Sequence, residues 1–254
     1  RGPEISLSGS QRTHTSYLGG GATTSMLRSF RRAPQAPGSV LTRMSETAPE
    51  PPATASELVR LRASDPGVGL LFEGRSWTWA EVVAEGATRA AWLAANRDTG
   101  RPFHVGVLSE NTPEYLFLLS GAALAGAVIV GINPTRRGAE LATDIRHADC
   151  QLIVADPSLA HLLDGLDVGG APVHVVGSDA HAAELAPHAG APLPDVWSEP
   201  DDLYLLIFTS GSTGRPKAVR FSQGRAARAA RRVFFGPDDV LYCAMPLFHG
   251  NALN

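Results

Sequence analysis

Residues 205–220 read Leu-Leu-Ile-Phe-Thr-Ser-Gly-Ser-Thr-Gly-Arg-Pro-Lys-Ala-Val-Arg. This stretch begins inside an apolar run, residues 203–208, which predicts a buried strand. The six small residues that follow are Thr209, Ser210, Gly211, Ser212, Thr213 and Gly214. Such residues can form a tight loop whose backbone amides and hydroxyls converge on an anion, usually phosphate. Because residues 218–221 resume a β-favouring pattern, the stretch predicts a strand–loop–strand unit that binds phosphate.

One lysine follows the loop. Lys217 is the single lysine in a sequence with 22 Lys and Arg residues. A composition so rich in arginine would be expected to place arginine here too. Lysine carries a compact, mobile ammonium that arginine does not replace freely. We therefore predict that Lys217 contacts the anion held by the loop.

The loop differs from a Walker A phosphate loop, in which G-x-x-x-x-G-K-[ST] leads into a helix. Gly211 and Gly214 are too close together, and Ala218 stands where a Mg²⁺-binding hydroxyl would be needed. The flanks predict a strand on each side rather than a strand and a helix. These differences exclude a kinase-like or GTPase-like P-loop protein.

Residues 208–219 instead resemble the phosphate-loop signature of the adenylate-forming superfamily, which includes acyl-CoA synthetases, luciferases and peptide-synthetase adenylation domains. The resemblance covers about residues 54–254 and is greatest to the fatty-acyl-CoA synthetases. It implies an α/β fold with layered parallel or mixed sheets and flanking helices, here the N-terminal part of an AMP-binding domain. It also implies ATP-dependent activation of a fatty acid through an acyl-adenylate to acyl-CoA, with ATP, Mg²⁺ and CoA as cofactors.

The resemblance assigns roles to particular residues. The loop residues Thr209 to Gly214 would hold the triphosphate of ATP, with Mg²⁺ on the phosphates, and Lys217 would neutralise charge during nucleotidyl transfer. Residues 245–250, Met-Pro-Leu-Phe-His-Gly, resemble the next family motif, a short loop with an aromatic–His pair. By this resemblance His249 positions the acyl carboxylate and gates the thioester step rather than acting as a general base. An ordinary strand-to-helix loop is the alternative for His249.

The sequence also departs from the family pattern. Ala218 replaces a usual glycine, and residues 222–224 replace a Ser/Thr-His sequence, so no role is carried onto Gln223. The family's adenine-contact segment, Mg-binding glutamate, ribose-binding aspartate and C-terminal catalytic lysine have no counterparts in the 254 residues. We therefore expect the chain to be the first half of an enzyme that binds nucleotide poorly and completes neither half-reaction alone.

Composition limits the class of protein. A hydrophobic content of 44% is enough for a sizeable core, and a net charge of −3 shows no basic excess of the kind that indicates nucleic-acid binding. We infer no partner protein and expect a cytoplasmic location. Cys150 and Cys243 lie in apolar runs without metal-ligand spacing and are predicted to be buried free thiols.

The first 53 residues are expected to be a basic leader, disordered or artefactual, followed by a Pro-rich linker. Residues 1–43 carry six Arg and one acidic residue. A mitochondrial transit peptide has this composition, but an upstream start, with Met44 as the true initiator, is the favoured interpretation.

Alternation of strands and helices over residues 54–254 predicts a parallel, doubly wound sheet. Strands are predicted over residues 68–72, 75–79, 103–108, 127–132, 150–155, 172–176, 203–208, 218–221 and 239–244. Helices are predicted over residues 55–62, 79–96, 115–126, 136–147 and 223–233. The first helix should bury Leu58 and Leu61, and Thr78 and Glu81 should form a capping box for the second.

Three minor signals have competing interpretations. The uncharged residues 116–132 are just long enough for a membrane span, although internal glycines and a β-branched cluster favour a helix followed by a strand. A basic helical stripe is interpreted as a solvated face, with contact to a CoA phosphate or an anionic membrane surface as the alternative: Arg225, Arg228, Arg231 and Arg232. His181 and His188 lack metal-ligand spacing.

Two other functions remain open at this stage. With the same fold, the protein could be an acyl-AMP ligase or an amino-acid adenylation domain that feeds a carrier protein. In a different class, it could be a non-catalytic nucleotide-binding or scaffolding product of a truncated gene.

Overall fold

The structure is a computed structural model that describes residues 50–209, 217–232, 236 and 239–252. Helices α1 to α7 of this part span Ala55–Arg60, Trp79–Ala95, Pro113–Ala125, Gly138–Ala148, Pro157–Ala160, Asp179–Leu185 and Gln223–Ala230. Strands β1 to β8 span Val68–Phe72, Arg75–Thr78, His104–Leu108, Val128–Gly131, Leu152–Ala155, Val173–Val175, Leu203–Thr209 and Lys217–Ser222. The predicted basic leader lies outside the described residues.

Six strands form the central sheet, in the order β6-β5-β3-β4-β7-β8. Strands β3 to β7 run parallel, whereas β8 pairs antiparallel with β7. Strands β1 and β2 form a separate antiparallel hairpin. The predicted layered α/β fold with parallel and mixed sheets is therefore confirmed. The prediction of a parallel sheet is wrong at one edge, because residues 203–222 form an antiparallel hairpin.

The two faces of the central sheet carry different helices because the chain reverses direction across the sheet after β4. Helix α3 leads from β3 to its neighbour β4, whereas α4 leads from β4 back past β3 to β5. Leu118 of α3 packs in one apolar core with Ile129, while Ile145 of α4 packs in a second core with Val130. Since crossovers share one handedness, opposite directions of travel place the helices on opposite faces.

The helices start where the sequence places caps. As predicted, Thr78 Oγ1 accepts from the amide of Glu81 at 3.2 Å, and the Glu81 carboxylate accepts from the amide of Thr78 at 2.7 Å. Helix α3 begins after Thr112 with Pro113 in its first turn, and Thr112 makes no side-chain capping bond.

Tyr204, the tyrosine within the apolar run of β7, joins the sheet to α3. Its hydroxyl donates to the carbonyl oxygen of Leu119 at 3.0 Å. Burial raises the pKa of Tyr204 well above its ordinary value, so the phenol remains a protonated donor.

Helices α2 and α3 approach closely around a buried ion pair. A Cβ on Gly121 would lie 2.7 Å from Cβ of Arg89, so the contact requires glycine. The Arg89 guanidinium donates to the Glu114 carboxylate from Nε at 3.0 Å and from Nη2 at 2.6 Å, and it also contacts Glu85. Burial raises the pKa of Glu114, and the hydrogen bonds from Arg89 oppose that rise.

The predicted strand over residues 239–244 is wrong. These residues pair with no strand among the described residues, and Val240, Leu241 and Tyr242 are 76%, 60% and 91% exposed. An apolar run shows that a segment is suited to burial, but a strand also needs a neighbour that accepts its ladder hydrogen bonds.

Two burial predictions are wrong, one for Cys243 and one for Leu61. Cys243 lies in this exposed segment and is itself exposed, whereas Cys150 is buried as predicted. Leu61 is 66% exposed although its backbone is still helical and its amide donates to the carbonyl oxygen of Glu57, so the predicted apolar face of the first helix is not buried at this residue.

The apolar stretch of residues 116–132 divides between α3 and β4. Gly126 separates them in the left-handed conformation, with φ of 68°. Across the described ranges, each helix is too short or too polar to cross a bilayer.

Replacing Arg89 with Met should lower the free energy of unfolding at pH 8 by about 3–5 kcal/mol, because Glu114 is left as an uncompensated buried charge. The loss should shrink as the pH falls towards 4.5, the ordinary value for this carboxyl, because burial raises its pKa and the folded state then binds more protons. Chemical denaturation at pH 5 and pH 8 measures both effects. The double variant R89M/E114Q should recover most of the loss, and an equal loss at both pH values would contradict the assignment.

The two thiols should react very differently. Burial raises the pKa of Cys150 to about 12, whereas Cys243 is exposed. Iodoacetamide at pH 8 should therefore alkylate Cys243 in the native protein and reach Cys150 only after denaturation. Peptide mass spectrometry locates the adducts, and the C243S variant is the control. Rapid native labelling of Cys150 would contradict the buried placement.

Candidate functional site

A crevice opens between the carboxyl ends of β3 and β4. The chain leaves β3 towards α3 on one face and leaves β4 towards α4 on the other, so the two backbones diverge at this edge. Ligands of open α/β sheets bind at such switch points. Asn111 lies three residues beyond β3, and Gly131 ends β4. The topology alone therefore makes this edge the first candidate for a binding site.

The predicted phosphate loop begins and ends at the same edge. Strand β7 lies next to β4 and ends at Thr209, which pairs with Lys217 at the start of β8. Lys217 is exposed. The side chain of Thr209 lies outside the described residues, as do Ser210, Gly211, Ser212, Thr213 and Gly214. The structure thus places the two ends of the loop on the first and second strands beyond β4.

The aromatic–His segment, residues 245–250, approaches β4 closely. A Cβ on Gly131 would lie 3.1 Å from the carbonyl oxygen of Phe248, 3.2 Å from its Cα and 3.3 Å from its Cβ. The glycine therefore permits a backbone approach that a larger residue would obstruct. His249 is exposed, and its backbone amide donates to the carbonyl oxygen of Pro246 at 2.9 Å.

Asn111 connects this segment to the end of β3. Its Nδ2 donates to the carbonyl oxygen of Met245 at 2.9 Å and to that of Cys243 at 3.3 Å. Its Oδ1 accepts from the amide of Leu247 at 2.8 Å. One carboxamide thus bonds to the backbone on both sides of Pro246, as a neighbouring strand would. The two predicted site elements, the phosphate loop and the aromatic–His segment, converge on the carboxyl edge of β3, β4 and β7.

A separate cleft of about 880 Å³ lies beside Asn111 and the end of β5. Aromatic rings of Phe72, Trp77 and Phe117 form part of its wall. Its charged lining is mostly acidic: Glu73, Glu85, Glu110, Glu114 and Asp156, with Arg75 and Arg89. Excess negative charge disfavours phosphate in this cleft, so the Lys217 side of the edge is the better place for a polyphosphate.

The chemistry of the edge fits ATP phosphates better than a metal ion bound by protein alone. Within the described ranges, no three His, Cys, Asp or Glu side chains come together as a potential metal site. Lys217 supplies a cation at the end of a strand, and the edge is exposed to solvent. Mg²⁺ fits here as an ion bound to the phosphates, which Lys217 and the loop would hold.

Comparison with known sequences agrees with this arrangement. Residues 54–254 match the sequence family described as AMP-binding enzyme. The chain belongs to the AMP-binding enzyme family. The match begins at Thr54, the residue that caps α1, and includes both site elements.

Relatives of this AMP-binding chain are acyl-CoA ligases. It is 50% identical over 207 residues to a steroid-22-oyl-CoA synthetase of Rhodococcus jostii, covering 79% of this chain and 37% of that protein. It is 43% identical over 190 residues to the medium/long-chain-fatty-acid–CoA ligase FadD17 of Mycobacterium marinum, covering 73% and 37%. The chain therefore spans well under half the length of these relatives.

The fold resemblance extends to solved structures. The crystal structure of ATP-bound MatB from Rhodopseudomonas palustris superposes with a TM-score of 0.68 at 26% identity, covering 79% of this chain and 42% of that one. The likeness confirms the layered α/β architecture as that of adenylate-forming enzyme domains.

Sequence reasoning missed the most informative contacts of this family member. Asn111 lies just before α3, but Thr112 occupies the capping position and the Asn111 amide contacts the aromatic–His segment instead. A polar amide just after a buried strand, next to a residue that already begins the helix, is the signal that could have indicated such a contact.

Gln223, for which no role was predicted, has a structural one. It is fully buried at the start of α7, and its Oε1 accepts from the amide of Ser56 at 3.2 Å, which joins α7 to α1. The four arginines of the predicted basic stripe are exposed, but only Arg225 and Arg228 lie in α7, because Arg231 and Arg232 follow its last residue.

Proposed function

We propose that this chain forms the part of an acid–CoA ligase that holds the phosphates of ATP and the carboxylate of a fatty acid. The reaction joins the carboxylate to the α-phosphorus as an acyl-adenylate, releases pyrophosphate, and then transfers the acyl group to the CoA thiol with release of AMP. The observation that carries the proposal is the convergence of the phosphate-loop ends and the aromatic–His segment on one edge, which Asn111 and Gly131 maintain.

The β7–β8 hairpin performs the phosphate chemistry in this proposal. The pairing of Thr209 with Lys217 holds the two ends of the loop together before ATP arrives. The ammonium of Lys217 then neutralises negative charge that grows as the bond to pyrophosphate breaks. Mg²⁺, when bound on the phosphates, supplies further charge neutralisation.

His249 positions the acyl carboxylate rather than removing a proton. A carboxylate is already ionised at neutral pH, so the first step needs no base. An exposed imidazole on a segment held against β3 and β4 can orient the carboxylate and then move as the thiol enters. This role agrees with the position of the segment over the switch-point crevice.

Two classes of acid deserve comparison as substrates. The 43% identical ligase is named for medium- and long-chain fatty acids, and the 50% identical synthetase is named for a steroid acyl group. Both acids are hydrophobic carboxylates. A fatty acid is the primary proposal, and a steroid with a side-chain carboxylate is the second candidate because of the higher identity.

The central experiment measures acid-dependent ATP–pyrophosphate exchange and CoA-dependent AMP release by the full-length protein that carries this chain. Octanoate, palmitate and a steroid with a C22 carboxylate are the test acids. Thioester formation supports the ligase. Acyl-adenylate that persists in the presence of CoA indicates an acyl-AMP ligase or an amino-acid adenylation domain. The absence of exchange with any acid, amino acids included, indicates a non-catalytic product.

Replacing Lys217 with Ala in that protein should lower the exchange rate about 10²-fold or more, as expected when a group that stabilises developing charge is removed. K217R should also be impaired, because a guanidinium does not reproduce a compact ammonium. R220A removes an exposed charge from the same strand and should stay within about twofold of the wild type. Full activity of K217A would refute the assignment.

The 254 residues alone are proposed to bind ATP weakly and to give no measurable exchange. The support is that the chain covers 37% of the length of either relative. Isothermal titration with ATP and the exchange assay test this, with the full-length protein as the control. Turnover by the 254 residues would contradict it. The cytoplasmic location and contact with a membrane surface likewise stay predictions.

A further inference from the structure

We propose that Asn111 is a positioning residue for the acyl step, acting through His249, and that Gly131 is its steric counterpart. Together they hold the aromatic–His segment against the crevice between β3 and β4. This inference rests on the proposed function for its kinetic consequence. Its structural half, that Asn111 orders the segment, is independent of any activity.

The hydrogen-bond pattern supports a positioning role. The carboxamide of Asn111 accepts from Leu247 and donates to Met245, which lie on either side of Pro246. Proline has no amide hydrogen, so an ordinary strand ladder through this position would lack a bond. A side chain that offers both an acceptor and a donor can fix the backbone on both sides of the proline.

The segment contacts the sheet in two ways. Leu247 and Phe248 are partly buried and pack against the apolar core, and the backbone of Met245 and Leu247 is hydrogen-bonded to Asn111. Among the described residues, Asn111 is the partner in each hydrogen bond that joins residues 243–247 to the end of the sheet. The preceding residues 239–244 pair with no described strand, and Tyr242 is 91% exposed. Because these side-chain hydrogen bonds come from Asn111, loss of its amide should displace the backbone that precedes His249.

Gly131 sets how closely the segment can approach. The nearest atoms to a Cβ at this position are backbone atoms of Phe248, at 3.1 and 3.2 Å, and these cannot rotate away. Gly131 lies in a regular strand with no positive φ, so alanine is compatible with its backbone. Replacement by alanine therefore displaces the segment by a few tenths of an ångström without straining β4 itself.

The G131A variant distinguishes a positioning role of Gly131 from a role in stability. Alanine in a strand costs less conformational entropy than glycine, so G131A should keep or raise the unfolding midpoint. If Gly131 only stabilised the fold, activity and stability would change together. If it positions His249, the catalytic constants should change although the protein is no less stable.

The first test uses hydrogen exchange, detected by mass spectrometry, in the full-length protein. N111A and N111D should increase exchange about tenfold in a peptide covering residues 243–250, because the acceptor or donors of that backbone are lost or altered. T112A changes the adjacent side chain, which contacts Ser109 rather than the segment, and serves as the matched control. Unchanged exchange in both Asn111 variants would overturn the positioning claim whether or not the protein is a ligase.

The second test measures KM for the acid and KM for ATP separately in the acid-dependent exchange assay. N111A, N111D and G131A should raise KM for the acid, or lower kcat, about tenfold while KM for ATP stays within about twofold, because the hairpin that carries Lys217 is held independently. Equal changes in both KM values together with a lower unfolding midpoint would show a merely structural role and overturn the proposal.

A double-variant cycle decides whether Asn111 acts through His249. The effects of N111A and H249A should not multiply, because removing the histidine removes what Asn111 positions. Independent, multiplicative effects would overturn the link between the two residues. If the wild-type protein shows no acid-dependent exchange, the proposed function and the kinetic half of this inference fail, and the hydrogen-exchange result still decides the structural half.

Discussion

The reversal of chain direction between β3 and β4 is the constraint on which the rest of this structure depends. Since crossovers share one handedness, the reversal puts α3 and α4 on opposite faces and opens the carboxyl edge between the two strands. The two candidate site elements lie at this edge. The phosphate-loop hairpin adds to the sheet beside β4, and the aromatic–His segment covers the end of β4 at Gly131.

The two site elements are held by different forces. The β7–β8 hairpin is fixed by a long antiparallel ladder and by apolar side chains on both faces, so the ends of its loop are as rigid as the sheet. The aromatic–His segment is held by one carboxamide, by a close approach to a glycine and by Leu247 and Phe248, which pack against the apolar core. Fixed loop ends suit a site for phosphates, whose geometry hardly changes. A loop segment outside the ladder suits the role proposed for His249, which is to position one substrate and then admit another.

Contacts of α3 with α2 and with β7 support the candidate site. The Arg89–Glu114 pair fixes the first turn of α3 against α2, and that turn begins only two residues after Asn111. Tyr204 ties β7 to the same helix through the carbonyl of Leu119. Helix α3 therefore contacts the strand that precedes the phosphate loop and begins next to Asn111, which bonds to the aromatic–His segment. This shared helix fixes the position of the two site elements relative to each other.

The sequence by itself determined most of the local structure and the class of chemistry. Uninterrupted apolar runs, the Thr78 capping box and the strand–loop–strand stretch around Lys217 are local signals, because side-chain periodicity, capping bonds and hairpin pairing depend on residues close in sequence. Only the tertiary structure decided that residues 239–244 have no ladder partner and that Asn111 contacts Leu247, 136 residues away. Such contacts depend on which strands become neighbours, and no periodicity within a segment carries that information.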